Sequence, residues 1–318
     1  MDGILNINKP VGLTSHDVVA RVRRLLHQQR VGHAGTLDPL ASGVLPICLG
    51  LATRVADYLS ESGKAYRAEI VLGVETDTYD REGQIVSTLP VPDLTREQIE
   101  QVLRSFLGPQ LQVPPPYSAV KLQGEPAYRR ARAGESLKLA ARPVVIERLT
   151  LLAWEKPRLQ LEVECSKGTY IRSLAHDLGQ RLGCGAHLGA LLRTRSGPLT
   201  LEESITLEQL AEALAHGGLE RYLLPLDIAL QQYPAIIIDA RTLQRVLHGN
   251  SFRAPGPDPV SAATALATGN TESSSQQREQ LPLARICDEQ GRTWALAVWK
   301  PAQRLWQPTR VFRPEGRS

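Results

Sequence analysis

One carboxylate stands alone in the fifteen residues GHAGTLDPLASGVLP, from Gly32 to Pro46. Asp38 sits between Leu37 and Pro39 and is followed by an apolar run broken by glycine. Asp-Pro commonly begins a turn, so one reading of Asp38 is purely structural. The other reading is chemical. A carboxylate among Leu37, Pro39, Leu40 and Val44 is partly desolvated, which raises its pKa unless a cation compensates. An acid that must be ionised at neutral pH to act as nucleophile or base therefore needs an arginine or lysine close by.

A cation of that kind stands far downstream in CSKGTYIRSLAHDLG. Thr169 is placed to cap a helix whose inward face carries Ile171, Leu174, Ala175 and Leu178. Arg172 then falls in the first turn, where the positive end of the helix dipole disfavours a cation. A carboxylate partner would explain that placement, and so would an arginine snorkelling to solvent. Both readings stand at the level of sequence.

Several other chemistries lack their motifs. Gly63-Lys64 has neither the upstream glycine nor the following Ser or Thr of a Walker A loop. Gly183-Cys184-Gly185 is only a partial match to GxGxxG, and neither GxSxG nor HExxH occurs. The four cysteines form no CxxC pair, which argues against a zinc site or a disulfide framework and fits a reducing cytoplasm. His16, Asp17, His33, Asp38, His176 and Asp177 are the remaining oxygen and imidazole ligands, and no metal site is expected from them. The expected enzyme works without nucleotide, flavin or metal cofactor.

The chain has 318 residues and a formal charge of +4, enough length for one large domain and a small one. Lysine supplies only seven of its 37 cations. Arginine grips phosphate with a planar fork and stacks on bases, so this bias leans toward nucleic acid, although codon usage explains it equally well. The N-terminus lacks the regions of a signal peptide, and no run of eighteen apolar residues occurs. A cytoplasmic protein with no membrane span is expected.

The elements that must hold these groups mix strands and helices without strict alternation. TSHDVVARVRRLLHQQ reads as an amphipathic helix with Val18, Val19, Val22, Leu25 and Leu26 on one face, Thr14 or Ser15 as cap, and Arg21, Arg24 and Arg30 opposite. YRAEIVLG and RLQLEVECS alternate as strands, the second after an earlier strand in RPVVIERLTLLAW. Thr95 to Gln98 and Thr206 to Gln209 are capping boxes, the first opening a helix that Gly108-Pro109 should close. The expected class is α+β, with a mixed, mainly antiparallel sheet flanked by helices and loops. Between about residues 114 and 143 a breaker-rich segment with the basic centre YRRARAGE reads as a loop or small helix leaving the sheet. Residues 231–318 read as a small β-rich domain with one helix around Arg241 to Leu247. They are interrupted at about 255–282 by a Pro-, Ser-, Thr- and Gln-rich insertion that cannot build a core.

Taken together, GHAGTLDPLASGVLPICLGLATR, KAYRAEIVLG, GVETDTYDREG, VPPPYSAVKLQGEPAY and CSKGTYIRSLAHDLG resemble, in this order, the TruB family of bacterial tRNA pseudouridine synthases. These act on uridine 55 of the T loop. The resemblance covers roughly residues 3 to 227, and GRTWALAVWK with LWQPTRVF resembles more loosely the family's short PUA-like domain. It implies a pseudouridine-synthase fold over residues 1–230 and an isomerase that flips its target base out of the stack. It places the catalytic aspartate on Asp38, the active-site tyrosine on Tyr66 and the arginine partner on Arg172. It further implies a base-flipping role for His33, a second active-site tyrosine at Tyr170 and a uracil-pocket leucine at Leu191. Asp77 would meet the RNA near the flipped nucleotide, and Lys9 would be a structural motif lysine. Arg21, Arg24, Arg30 and the segment with Arg129 and Arg130 are candidate phosphate contacts. The implied partner is tRNA, bound through its T-stem-loop and, by the PUA-like domain, its acceptor stem. A monomer is expected, because no further amphipathic or heptad segment demands a partner. The rival reading is an RNA-binding tRNA folding chaperone in which isomerisation is secondary or lost. The set Asp38, Tyr66 and Arg172 separates the two, since a dead module has no use for it.

Overall fold

The computed structural model describes residues 1–118, 120–122, 124–132, 135, 139–255 and 282–313. The chain divides into two compact units. Leu5–Ile47 and Asp57–Leu223 form the larger; Met1–Ile4, Cys48–Ala56 and Leu224–Ser318 form the smaller.

The larger unit is built on a long sheet. The elements up to Leu223, in chain order, are β1 (Gly3–Lys9), α1 (Ser15–Leu26), β2 (Val31–His33), β3 (Ala41–Leu49), α2 (Ala56–Glu61), β4 (Lys64–Leu72), β5 (Val74–Thr76) and β6 (Ile85–Thr88). There follow α3 (Arg96–Arg104), β7 (Gly108–Gln112), β8 (Lys121–Leu122), β9 (Glu125–Pro126), α4 (Ala127–Arg132), β10 (Arg142–Glu155) and β11 (Arg158–Cys165). The last are α5 (Ile171–Leu182), β12 (Ala186–Ser196), β13 (Leu199–Thr200) and α6 (Leu207–His216). The strand order runs β1, β3, β12, β4, β11, β10, β7, with β2 beside β3 and β13 beside β12. Pairing is parallel between β12 and β3 and antiparallel from β12 outward to β7. The class is α+β with a mixed sheet, as the mixed patterning implies.

Local signals explain most boundaries. Thr14 caps α1 in a complete box with Asp17, and Val18, Val19 and Val22 are buried while Leu25 and Leu26 are half-buried. Both other capping boxes form as read, at α3 and α6. The end of α3 differs from expectation. The helix stops at Arg104, and Gly108, at φ +87°, opens β7 instead of terminating the helix. Tyr66, Ala68, Ile70 and Leu72 line the buried face of β4, the alternation expected of a half-covered strand.

Gly43 marks where β3 and β12 run in parallel, opposite Arg193 in the register. It holds φ +101°, and a Cβ there would lie 2.2 Å from the Arg193 carbonyl oxygen. Gly43→Ala therefore combines left-handed strain with a backbone clash, and should lower unfolding free energy by about 3 kcal/mol. Denaturant titration measures it.

In the smaller unit Ala235–Ile237, Leu283–Cys287, Thr293–Lys300 and Leu305–Val311 form a four-stranded sheet in that order. Ala240–Leu247 is a helix capped by Asp239. Val246, Phe252, Ile286, Ala295, Ala297 and Trp306 form its core. Most of the 255–282 insertion lies outside the described residues.

Candidate active site

The turn that carries Asp38 follows β2 and is tied down on every side. The Leu37 N–H donates to Ser15 Oγ at 2.9 Å, and Gly12 N–H donates to the Pro39 carbonyl at 2.8 Å. Lys9, wholly buried at the end of β1, donates from Nζ to the Leu13 carbonyl at 2.6 Å and to the Pro39 carbonyl at 3.5 Å. Burial lowers its pKa to about 8, while the Asp38 charge pulls in the opposite direction. Its position is thus a brace beneath the acid.

Arg172 enters from α5. Its side chain is 7% exposed, and Nε lies 3.0 Å from Asp38 Oδ2. Nη1 lies 3.4 Å from Asp80 Oδ2 and donates to the Thr78 carbonyl at 3.2 Å. Nη2 donates to the Tyr117 carbonyl at 3.0 Å. The arginine stands against the dipole because two carboxylates and two carbonyls hold it there, and the snorkelling alternative is excluded. The helix start also differs from the reading above. Tyr170 is the cap residue, and Thr169 Oγ turns back to donate to the Ser166 carbonyl at 3.0 Å. Gln112 replaces a side-chain cap by holding both sides of the Tyr170 backbone: its Oε1 accepts from Tyr170 N–H at 2.8 Å, and its Nε2 donates to the Tyr170 carbonyl at 3.0 Å. Ser173 Oγ adds a bond to the Val113 carbonyl at 2.7 Å.

Asp38 is less enclosed than its apolar neighbours suggest. Its side chain keeps 37% of its exposure, so the acid is only partly withdrawn from solvent. Burial raises its pKa, and Asp80 adds to that; Arg172 and Lys9 act against it without reversing the direction. Arg172 therefore limits the upward shift rather than cancelling it. The geometry is that of a partly exposed acid held by a buried guanidinium, and an incoming group that covered it would complete the desolvation.

The other predicted residues fall into two groups. Tyr66 and Leu191 come to the same sheet face, Tyr66 opposite Arg193 and Leu191 opposite Ala68 in the β4–β12 register. Both are nearly buried, and burial raises the Tyr66 pKa. Tyr170 is half-buried, its pKa also raised by burial, and like Tyr66 it senses the Asp38 charge. His33 ends β2 with its ring edge-on to His16 at 5.3 Å, and burial lowers its pKa, with His16 and Arg193 acting in the same direction. Its Nδ1 is buried and has no hydrogen-bond partner among the described residues. Asp77 is not brought to the pair; its Oδ1 accepts the Gln84 N–H at 2.8 Å and braces the β5–β6 turn. Arg129 is exposed on α4, and Arg130 is engaged by Glu135 at 2.6 Å. Among the described residues no group of three or more His, Cys, Asp and Glu could hold a metal ion, and His176 stacks on Tyr79 at 4.0 Å.

Sequence reasoning missed Asp80, Gln112 and Arg193. Asp80 is 5% exposed; its Oδ1 accepts from Thr78 Oγ1 at 2.7 Å and Glu82 N–H at 3.0 Å, leaving Oδ2 for Arg172. The TDTYD spacing contained the signal, two acids three apart, but no local rule says which one faces the helix.

Residues 23–171 match the family model of the TruB pseudouridylate synthase N-terminal domain, and residues 172–231 match that of the tRNA pseudouridylate synthase B C-terminal domain. The chain belongs to the TruB family. It is 46% identical over 274 residues to tRNA pseudouridine synthase B of Dehalococcoides mccartyi strain CBDB1, covering 86% of this chain and 90% of that one. It is 50% identical over 252 residues to the Symbiobacterium thermophilum protein of the same name, covering 78% and 82%. A chain in an H/ACA RNP bound to a substrate RNA containing 2′-deoxyuridine superposes with a TM-score of 0.71 at 27% identity, covering 98% of this chain and 85% of the other. This TruB-family chain thus has the partly exposed acid, the buried guanidinium and the sheet-face tyrosine together in its larger unit.

Proposed function

We propose that the protein isomerises uridine 55 in the T-stem-loop of tRNA to pseudouridine. The N1–C1′ bond breaks, the uracil turns, and C5 joins C1′; the C5 proton leaves and N1 gains one, so no electrons enter or leave overall. The observation that carries this reading is the 3.0 Å pair of the partly exposed Asp38 and the buried Arg172. The ionised Asp38 carboxylate acts on the flipped nucleotide, by attack or by proton abstraction, and its influence grows as the base displaces the remaining water. Arg172 holds the carboxylate in orientation and favours its charged form. Tyr66 presents its ring to the uracil and its hydroxyl toward C5, with Leu191 beside it on the same face. Tyr170 adds a second ring at the mouth. His33, whose charged form burial disfavours, fills the space the uridine vacates. Asp77 holds the turn that presents Asp80 to Arg172, and Lys9 holds the turn that carries Asp38.

Residues 1–230 are the catalytic domain in this reading, and the segment 114–143 is an RNA-binding protrusion. The small C-terminal domain is PUA-like and contacts the acceptor stem. Arg21 and Arg24 on the exposed face of α1, with Arg129 and Arg130, meet phosphates; Arg130 exchanges Glu135 for the RNA. The protein acts as a monomer in the cytoplasm.

Tritium release from a T-stem-loop carrying 5-tritiated uridine tests the activity directly. Release by the wild-type protein is expected, and its absence would favour the chaperone reading. Binding of the same stem-loop should weaken with salt, with a log–log slope near −3 if about four phosphates are neutralised. A slope near zero would remove the arginines from the interface.

A further inference from the structure

Behind the acid lies a second buried guanidinium with no acid beside it. Arg193 is 1% exposed and sits opposite Tyr66 in the β4–β12 register. Among the described residues no carboxylate pairs with it; neutral oxygens take its donors. Nε donates to the Val44 carbonyl at 2.7 Å, Nη1 to the Thr36 carbonyl at 3.3 Å and Nη2 to the Gly35 carbonyl at 3.0 Å. The same group lies against the Tyr66 hydroxyl.

The choice of acceptors is informative. Gly35 and Thr36 precede Asp38 in its turn, and Val44 follows it in β3. One rigid, planar group therefore touches the backbone on both sides of the acid and the hydroxyl of the tyrosine. An apolar side chain would fill this space without desolvating a cation, so packing alone does not account for an arginine here. A lysine would place one compact charge where the fork spans four oxygens.

We propose that Arg193 is a positioning residue that locks the Asp38 turn and the Tyr66 hydroxyl at one fixed separation, so that acid and phenol meet the flipped uridine together. The inference rests on the reading of Asp38 and Tyr66 as the reacting groups. It adds a requirement that neither residue meets alone: the turn is held from Ser15 and Lys9 on one side, and Arg193 links it by hydrogen bonds to the strand pair that carries Tyr66. Displacement of reacting groups by about 1 Å costs about 10²-fold in rate, which sets the expected effect.

The test compares wild type, Arg193→Lys, Arg193→Met, Tyr66→Phe and the double variant Arg193→Lys/Tyr66→Phe. Single-turnover tritium release and stem-loop Kd are measured for each, with thermal unfolding alongside. Release should slow by about 10²-fold in both Arg193 variants, while Kd changes by less than about threefold. In the Tyr66→Phe background the Arg193→Lys change should cost clearly less than it does alone, because part of its effect passes through the hydroxyl. The lysine variant keeps the charge and three donors, so it supplies a folded case if the methionine variant does not fold. Release by Arg193→Lys at the wild-type rate, a loss confined to Kd, or effects that multiply fully with Tyr66→Phe would overturn the inference. No release from wild type would instead remove the functional reading on which it rests.

Discussion

Asp38→Asn is expected to bring tritium release below about one thousandth of the wild-type rate, a loss of about 4 kcal/mol or more in transition-state stabilisation. The amide keeps the size of the carboxyl and can stay in the turn, but it can neither attack nor take a proton. The fold should not suffer. Burial raises the pKa of Asp38 in the folded chain, so the charged form is less favoured there than in the unfolded chain. For an acid with a raised folded pKa, that penalty is fully present above the folded value and is relieved as pH falls through it. The asparagine variant, which carries no charge, should therefore unfold at a temperature no lower than wild type at pH 7. The same sign governs activity. Wild-type release should fall on the acid side at a pH above the ordinary carboxylate range of about 4, because the reactive form is the ionised one. Release by Asp38→Asn within tenfold of wild type would end the role assigned to this residue.

Arg172→Met should be nearly as severe, for a different reason. It leaves the Asp38 and Asp80 carboxylates facing one another without the intervening cation, and it strips donors from the Thr78 and Tyr117 carbonyls. Removing one partner of a buried pair costs about 3–5 kcal/mol of stability; the solvent that reaches Asp38 puts this case at the lower end. Activity should fall by about 10³-fold, since the acid loses both its orientation and its main charge stabilisation. Two milder variants separate these contributions. Arg172→Lys weakens the pair, so the acid limb of the pH–rate profile should move up. Asp80→Asn removes the acid that pushes the Asp38 pKa upward, so the limb should move down even as the rate falls. Limbs that stay together would show that Asp38 is not the group reported by the profile.

What was legible in the sequence was legible because it is local. Thr14 with Asp17, Thr95 with Gln98 and Thr206 with Gln209 close their boxes within one turn, so the helix starts could be read from spacing alone. The alternation of β4 and β11 needed only the two-residue period of a strand. Asp38 and Arg172 were legible for a related reason: each is misplaced by local rules, a lone acid in apolar surroundings and a cation at the wrong end of a dipole. Such conflicts point to a partner without saying where it is. Their joint occurrence with Tyr66 in ordered motifs carried the family resemblance further than any single residue could.

The tertiary structure decided the rest. It chose Asp80 over Asp77, capped α5 with Tyr170 and Gln112 gripping the backbone, left Asp38 partly exposed, and set Arg193 between the acid's turn and the tyrosine's strand. Each of these depends on which distant strands become neighbours, and that order follows from the summed burial of whole sheet faces. A side chain's own sequence neighbourhood carries no record of it, because hydrogen bonds and ion pairs act over a few ångströms in space and the chain brings those ångströms together only on folding.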